Sequence, residues 1–343
     1  MKKLAVVILN FNGVEHLKKH LTQIIKNSSP YDVIVADNCS TDKSIDYIKT
    51  IDGVKVIQNN ENTGFAGGYN DALKQIEGQY DFYFLLNSDV EVSPNYLSPL
   101  LKAMDDNNIG ACQPKVLSLI KPTSFEHAGA CGGYIDKNYY PFCRGRIFDH
   151  VEEDKGQYAS ESYVTWTSGA AMLIRSECFH SVGGFDSSFF AHMEEIDLCI
   201  RLGHKGYKFK VIPTSTVFHL GGGTLPYLSA QKVYLNFRNN LFLIIKNHKG
   251  WLFPMLFKRM TLDGIAAYKF LFEGKISFFW KVFLAHMALY SNFATLYKKR
   301  KALLKDAEPI VKYRGNILVN YYLEKRKTFS TICLLYTSDA ADD

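Results

Sequence analysis

Within its first hundred residues the chain alternates short apolar runs with stretches of helical spacing, and that order permits few folds. Residues 4–9 (LAVVIL) form a continuous β-branched run, as expected of a strand buried on both faces. Helical spacing follows over residues 14–26. A second strand is predicted at 33–36, a helix over 44–51 with Asp42 near its N-cap, a third strand at 54–58, a helix over 66–77 and a fourth strand at 81–86. Strands alternating with helices imply right-handed βαβ units and a mostly parallel, Rossmann-like central sheet flanked by helices, an α/β architecture. In such sheets the ligand sits beyond the carboxyl ends of the strands. Those ends read Asn10-Phe-Asn-Gly13, Asp37-Asn-Cys-Ser40, NNENTG over residues 59–64, and Asn87-Ser-Asp89. All four are polar and two carry an aspartate.

The same strand ends exclude several functions. A dinucleotide fingerprint needs Gly-x-Gly-x-x-Gly directly after a strand, whereas the first strand here ends in Asn10-Phe-Asn-Gly13 and the glycine cluster (Gly64, Gly67, Gly68) follows the third. A P-loop is missing, and so is the Gly-rich basic loop that a sugar-nucleotide pyrophosphorylase would carry after its first strand. The seven cysteines include no CxxC pair, which removes zinc ribbons and redox motifs and fits a reducing compartment. The first apolar run is too short for a signal h-region, so a cytoplasmic catalytic body is expected.

Individual residues narrow the chemistry. Asp37, at the end of the second strand, can accept hydrogen bonds from a base N–H or a ribose hydroxyl, and Asn38 offers both a donor and an acceptor. An Asx turn opening the next helix fits the same aspartate. Asp89 could help hold Mg²⁺ or Mn²⁺ together with diphosphate oxygens, and strand-end aspartates also cap turns. Glu194 and Glu195 stand at the start of a predicted helix over residues 195–204, where a carboxylate could act as a base toward a hydroxyl or complement the helix dipole. Further strands are predicted at 112–119, 164–174 and 208–212, and residues 230–327 read as helical throughout.

Taken in order, VVILNFNG (6–13), VADNCSTD (35–42), NTGFAGGYN (62–70) and LLNSDVEV (85–92) resemble family 2 glycosyltransferases of the GT-A fold, in their rhamnosyltransferase-like branch. The match continues through residues 168–213, VFHLGGGT (217–224) and NFRNNL (236–241), covering about residues 3–245. The resemblance implies an inverting glycosyltransferase that takes a sugar, rhamnose by preference, from a nucleotide-diphosphate donor. The acceptor would be a saccharide or a lipid-linked saccharide in cell-surface polysaccharide synthesis. It also implies roles by position. Asp37 and Asn38 would read the nucleotide, with Asn10, Asn12, Asn62, Gly64, Asn70 and Asn87 on the donor side and Arg238 near a phosphate. Asp89 stands in the family's DxD metal motif, whose first position is Asn87 here, and His219 would lie near the metal or diphosphate; the implied cofactor is Mg²⁺ or Mn²⁺. Glu195 matches the catalytic base, with Glu194 beside it and Glu where Asp is usual. Trp166, Gly169 and Asp197 would face the acceptor sugar, although Trp166 also reads as an ordinary core residue. The rivals are a catalytically silent nucleotide-sugar-binding protein of this fold and a sugar-phosphate nucleotidyltransferase.

Charge divides the chain in the same place. Residues 246–327 hold 17 Lys/Arg against 5 Asp/Glu, whereas residues 1–245 hold 23 against 26, so the net +6 is no diffuse basicity of a nucleic-acid binder. Residues 276–297 (ISFFWKVFLAHMALYSNFATLY) are long enough to span a bilayer, yet Lys281 and His286 interrupt them and Lys298-Lys-Arg-Lys301 follows. That composition suits a helix lying in the interface on an anionic membrane surface, with packing on the body or a true span as alternatives. The expected organisation is therefore a catalytic domain over 1–245, a basic, amphipathic, membrane-associating helical region over 246–327, and a non-native or disordered tail over 328–343. The expected place is the cytoplasm, peripheral on the inner face of the plasma membrane.

Overall fold

The computed structural model describes residues 2–126, 129–221 and 229–333, apart from the Cys333 side chain. The predicted first half forms as expected: β1 (Leu4–Asn10), α1 (Val14–Ser28), β2 (Asp32–Asp37), α2 (Ser44–Ile48), β3 (Val54–Gln58), α3 (Gly64–Gln75) and β4 (Phe82–Asn87). There follow β5 (Val90–Val92), α4 (Leu97–Ala103), β6 (Ile109–Ser118), β7 (Gly133–Ile135), β8 (Pro141–Cys143), β9 (Arg146–Ile147), β10 (His150–Val151), β11 (Ser162–Val164) and β12 (Ala171–Arg175). The chain continues through α5 (Ser176–Ser181), α6 (Glu194–Gly203), β13 (Lys208–His219), α7 (Ala230–Asn247), α8 (Leu252–Phe272), α9 (Ile276–Leu303) and α10 (Phe329–Cys333).

The main sheet runs β11-β13-β6-β12-β4-β1-β2-β3, with β5 added beside β13. β3, β2, β1 and β4 are mutually parallel, β12 is antiparallel to both β4 and β6, and β6 pairs parallel with β13. Apolar cores cover both faces: Val7, Ile34, Tyr69 and Leu85 lie in one, and Val6, Ile8, Phe84 and Leu100 in the other. Two-sided burial is why the early strands read as unbroken apolar runs. A small second sheet, β10-β9-β8-β7, lies at the side.

Three predictions change. The strand expected over 164–174 is split into β11 and β12, because Thr165 and Trp166 donate their backbone N–H groups to the Gly133 carbonyl and join the small sheet instead. Helix does not continue to 327. After Leu303 the chain returns across the body: Tyr313 bridges to Asp136, Ile317 is buried, and its N–H donates to Asp136 Oδ2 at 3.1 Å. Residues 328–333 are also no loose tail. Phe329 packs its ring against Tyr134 and Phe142, and Ile332 is buried, since these apolar side chains cover an otherwise open face of the small sheet. Residues 334–343 lie outside the described residues.

Candidate active site

Pairing in the sheet brings the strand ends together. Asn10 is in register with Asp37, Leu9 with Asn87, and His219 with Val90. The antiparallel β12 starts where β4 ends, so Asn87 donates its N–H to the Ala170 carbonyl at 3.1 Å. Gly169 therefore lies on the same edge, where a Cβ would stand 3.4 Å from the Phe65 ring and 3.7 Å from Glu195 Cβ. The fold thus places the end of β4, the start of α3 and the start of α6 around one spot.

On the β1–β3 side the polar residues are laced to one another. Asn10, wholly buried, donates through Nδ2 to Asp37 Oδ1 at 3.0 Å and to Ser40 Oγ at 3.2 Å, and its Oδ1 has no partner among the described residues. Asp37 Oδ2 accepts from the Ser40 N–H at 2.9 Å. Asn12 holds the next loop, its Oδ1 accepting from the Thr41 N–H at 2.7 Å. Asn38 donates to Asn62 Oδ1 at 2.9 Å and to the Gly64 carbonyl at 3.0 Å, and accepts from Asn59 Nδ2 at 3.1 Å. Gly64 has φ +77°, and a Cβ there would come within 2.6 Å of the Phe190 ring and carbonyl, so only glycine fits. Asn70 faces elsewhere: its amide exchanges two hydrogen bonds with the Phe185 backbone, at 2.7 and 2.9 Å.

At the centre, Asp89 Oδ1 lies 3.2 Å from His219 Nε2, and His219 Nδ1 lies 3.1 Å from Glu126 Oε2, all three residues being buried. Burial alone would lower the His219 pKa, but hydrogen bonds to Asp89 and Glu126 outweigh it and raise it to about 10. Burial likewise opposes ionisation of Asp89, yet its bond to His219 leaves the carboxyl below its ordinary value. Glu126 is not marked by anything local in the sequence; it reaches His219 across 93 positions of chain.

The donor set at this spot fits Mg²⁺ or Mn²⁺. Asp89 offers a hard carboxylate oxygen, whereas His219 has both ring nitrogens bonded, to Asp89 and Glu126, and steadies that carboxylate instead of ligating. Among the described residues no group of three or more His, Cys, Asp or Glu is arranged to hold a metal, so diphosphate oxygens and water would complete the shell. Residues 222–224 of the His219 motif lie outside the described residues.

The acid pair opens α6. Glu194 Oε2 and Glu195 Oε2 are closed off from solvent and have no hydrogen-bond partner among the described residues. Burial pushes the Glu195 carboxyl up to about 7, and burial with the neighbouring Glu195 charge pushes Glu194 well above its ordinary value. Buried carboxyls with unused lone pairs can accept a proton from a hydroxyl brought against them. His192 Nε2 is a third unpartnered buried atom, and burial, aided by Lys232, lowers its pKa to about 4, leaving a neutral ring.

The remaining expected residues do other work. Asp197 has no exposed surface; its Oδ2 accepts from Arg201 Nε at 2.7 Å and its Oδ1 from Lys246 Nζ at 2.7 Å, so no atom of it is open to an acceptor sugar. Lys246 also bonds Asp186 Oδ2 at 2.6 Å, and Lys299 of α9 bonds Asp186 Oδ1 at 2.7 Å. This buried ion network fastens α6, α7 and α9 to the loop before the acid pair. Trp166 is buried, donates Nε1–H to the Tyr134 carbonyl at 2.9 Å and packs against Gly133, which makes it part of the small sheet's core. Arg238 donates from Nη2 to the Ser188 and Phe189 carbonyls, at 3.1 and 2.8 Å, and from Nε to Asn239 Oδ1 at 2.8 Å, so two of its three nitrogens hold the loop before the acid pair.

Comparison with known proteins decides the family. The profile described as "Glycosyl transferase family 2" matches residues 5–155, and that of "Glycosyl transferase family group 2" matches residues 84–335, most of the chain. The chain is a family 2 glycosyltransferase. This glycosyltransferase is 25% identical over 279 residues to N-acetylglucosaminyl-diphospho-decaprenol L-rhamnosyltransferase of Mycobacterium tuberculosis, covering 77% of this chain and 90% of that one. It is 24% identical over 235 residues to rhamnosyltransferase WbbL of Escherichia coli K12, covering 62% and 82% of the two chains. Its fold is that of GT-A enzymes. GalNAc-T7, solved with UDP, GalNAc and Mn²⁺, superposes with a TM-score of 0.54 at 18% identity, over 72% of this glycosyltransferase and about half (48%) of that chain. The mannosyltransferase PcManGT of Pyrobaculum calidifontis, solved with GDP-Man and Mn²⁺, gives 0.50 at 14% identity, over 95% and 88%.

Proposed function

We propose that this glycosyltransferase moves a hexosyl group, rhamnose by preference, from a nucleotide-diphosphate donor to a saccharide or lipid-linked saccharide hydroxyl, with inversion, in cell-surface polysaccharide synthesis. The observation that carries the reading is Glu195, whose unpartnered Oε2 is buried at the head of α6 and whose Cβ lies beside Gly169 at the strand-end edge. In this reading the Glu195 carboxylate takes the acceptor hydroxyl's proton as the oxygen attacks the anomeric carbon from the face opposite the diphosphate. Glu194, held neutral, keeps a second negative charge away from that carboxylate. Asn10, Asp37, Asn38 and Asn62 hold the nucleotide end. Asp89, steadied by His219, would hold Mg²⁺ or Mn²⁺, which when bound supplies positive charge to the departing diphosphate. The rhamnosyl preference rests on the two rhamnosyltransferase relatives, and the use of Mn²⁺ is supported by the metal present in both solved neighbours.

A panel of nucleotide sugars with mass-spectrometric product detection, run with and without Mn²⁺, tests this. Transfer is expected with dTDP-rhamnose, and Asp89→Asn should weaken Mn²⁺ binding measured directly by calorimetry. Turnover of no donor, or pyrophosphate release from a sugar phosphate and a nucleoside triphosphate, would contradict the reading.

We also infer that the enzyme works on an anionic membrane surface. Among the described residues no helix is long and apolar enough to cross a membrane. α9 instead packs on the body through Val282, Ala285, Leu289 and Leu296, a single helical stripe. Its partner α8 is inverted relative to an ordinary surface helix. The residues it buries include the Arg259–Asp263 ion pair (2.8 Å), while Phe253, Phe257 and Phe272 stand 79%, 66% and 87% exposed. Trp280 and Tyr290 of α9 are likewise exposed, and Lys269, Lys275 and Lys281 lie on these two helices and the turn between them. Aromatic rings rimmed by lysine suit the lipid headgroup region. Phe272→Asp with Trp280→Asp should lower binding to anionic vesicles at least 100-fold in flotation, given about 1.5–3 kcal/mol per buried ring. Unchanged flotation, or concentration-dependent dimers that these changes abolish, would contradict it.

A further inference from the structure

The acid pair is delivered by an unusual stretch of backbone. Phe190, His192 and Met193 adopt φ values of 63°, 69° and 72°, and none is glycine. Side chains disfavour that region, so three such residues in four positions persist only where their surroundings dictate the conformation. The arch they form leads directly into Glu194 and Glu195. One side of it is tied to α3: the Phe190 carbonyl accepts from the Phe65 N–H at 2.8 Å and the Ala66 N–H at 3.2 Å.

The other side is gathered by a single amide. Asn239, on α7 and wholly buried, directs Nδ2 at three carbonyls: Phe189 at 3.0 Å, Ala191 at 2.8 Å and His192 at 2.7 Å. An amide nitrogen has two N–H groups, so the three acceptors share them and none can leave without weakening the others. Asn239 Oδ1 accepts from Arg238 Nε at 2.8 Å, which fixes the way the amide faces. Arg238 then bonds the Ser188 and Phe189 carbonyls itself. An isolated core asparagine would need one or two partners to be satisfied. Here, beyond the bond that joins the pair, the Arg238 and Asn239 side chains direct their hydrogen bonds at residues 188–192.

We propose that Asn239 is a positioning residue for Glu195, holding the 189–193 arch so that the acid pair stands against the acceptor hydroxyl while the arch also closes on α3. This rests on the reading of Glu195 as the base. Asn239 itself touches no reacting atom. Its effect is on where α6 begins, and a displacement of about 1 Å at a catalytic group costs on the order of 100-fold in rate.

The test compares Asn239→Leu, similar in size but without donors, with Asn239→Gln, which keeps them. Asn239→Leu should lower kcat about 100-fold with donor KM within threefold of wild type, and Asn239→Gln should recover at least tenfold of that loss. Independently of turnover, amide hydrogen exchange over residues 190–195 should quicken at least tenfold in Asn239→Leu while β1–β4 keep their protection. Should Asn239→Leu not fold, Arg238→Lys, which frees the amide without emptying its site, must show the same kcat-against-KM split at about tenfold. A folded Asn239→Leu with kcat within threefold of wild type overturns the proposal. So does a parallel fall of kcat, donor affinity and exchange protection throughout the domain, which would make Asn239 merely structural. Glu195→Gln run alongside separates the two readings: full rate there overturns the base assignment, whereas loss there with full rate in Asn239→Leu overturns only the positioning.

Discussion

Glu195→Gln is expected to lower kcat by about 10²–10⁴-fold, the range that a positioned general base contributes, while leaving donor binding intact. The glutamine keeps the shape of the site and removes only the proton acceptor. Wild-type kcat should fall about tenfold per pH unit below pH 7, because the Glu195 carboxyl, raised to about 7 by burial, must lose its proton to act. The residual rate of the variant should lack that limb. Stability should move the other way. A carboxyl whose folded pKa lies above its ordinary value of 4.5 stabilises the fold fully below 4.5 and loses that contribution as pH rises through 7. Glu195→Gln carries no charge at any pH, so it should be the more stable protein above pH 7, by up to about 3 kcal/mol, and show no gain at pH 4.5. Thermal unfolding at the two pH values reads this directly, and equal stability differences at both would contradict the buried, uncompensated state of this acid.

Lys246→Met should have the largest effect on stability. Lys246 is almost wholly buried and bonds two carboxylates, Asp186 at 2.6 Å and Asp197 at 2.7 Å. Removing it leaves Asp197 with Arg201, and Asp186 with Lys299, each short of one buried cation. Breaking such a pair by deleting one partner costs about 3–5 kcal/mol, against total stabilities of about 5–15 kcal/mol. A fall in melting temperature of roughly 10 °C is expected. Adding Asp186→Asn should recover part of the loss, since the stranded charge goes with it, and a double-mutant cycle by denaturant unfolding measures that coupling. Strictly additive effects would show that the network does not act as a unit. Activity should fall as well, because Asp186 accepts from the Ser188 N–H at the start of the loop that leads to the acid pair.

Much of this is legible in the chain because its first half obeys local rules. A strand buried on both faces must be apolar, as residues 4–9 and 82–86 are, and a parallel sheet puts its polar ends on one edge. Asp37 and Asp89 therefore stand out from the sequence alone, whereas the Glu194-Glu195 pair is singled out by the family resemblance. What stays hidden there depends on contacts between distant segments. Glu126 looks like any surface acid until β6 and β13 lie side by side. Asp197 sits in the first turn of α6, where an acid could face a substrate or complement a helix, and only the arrival of Lys246 from α7 fixes it in the core. Arg238 carries the charge expected of a phosphate ligand, but its Nη2 is turned to the Ser188 and Phe189 carbonyls, which only the folded chain brings there. Thr165 and Trp166 leave the main sheet because the Gly133 carbonyl takes their N–H groups. The C-terminal stripe shows the apolar content of α8 and α9, yet not that α8 turns its ion pair inward and its rings outward.

We propose transfer with inversion, in which the Glu195 carboxylate takes the acceptor proton. Its most direct test is the anomeric configuration of the product, read by proton-coupled NMR on the linkage made from a donor of known configuration. A linkage of the opposite configuration is expected, formed by the wild type and nearly lost in Glu195→Gln. A product that retains the donor's configuration would contradict the claim, because retention requires a second displacement that a single base at the head of α6 does not provide.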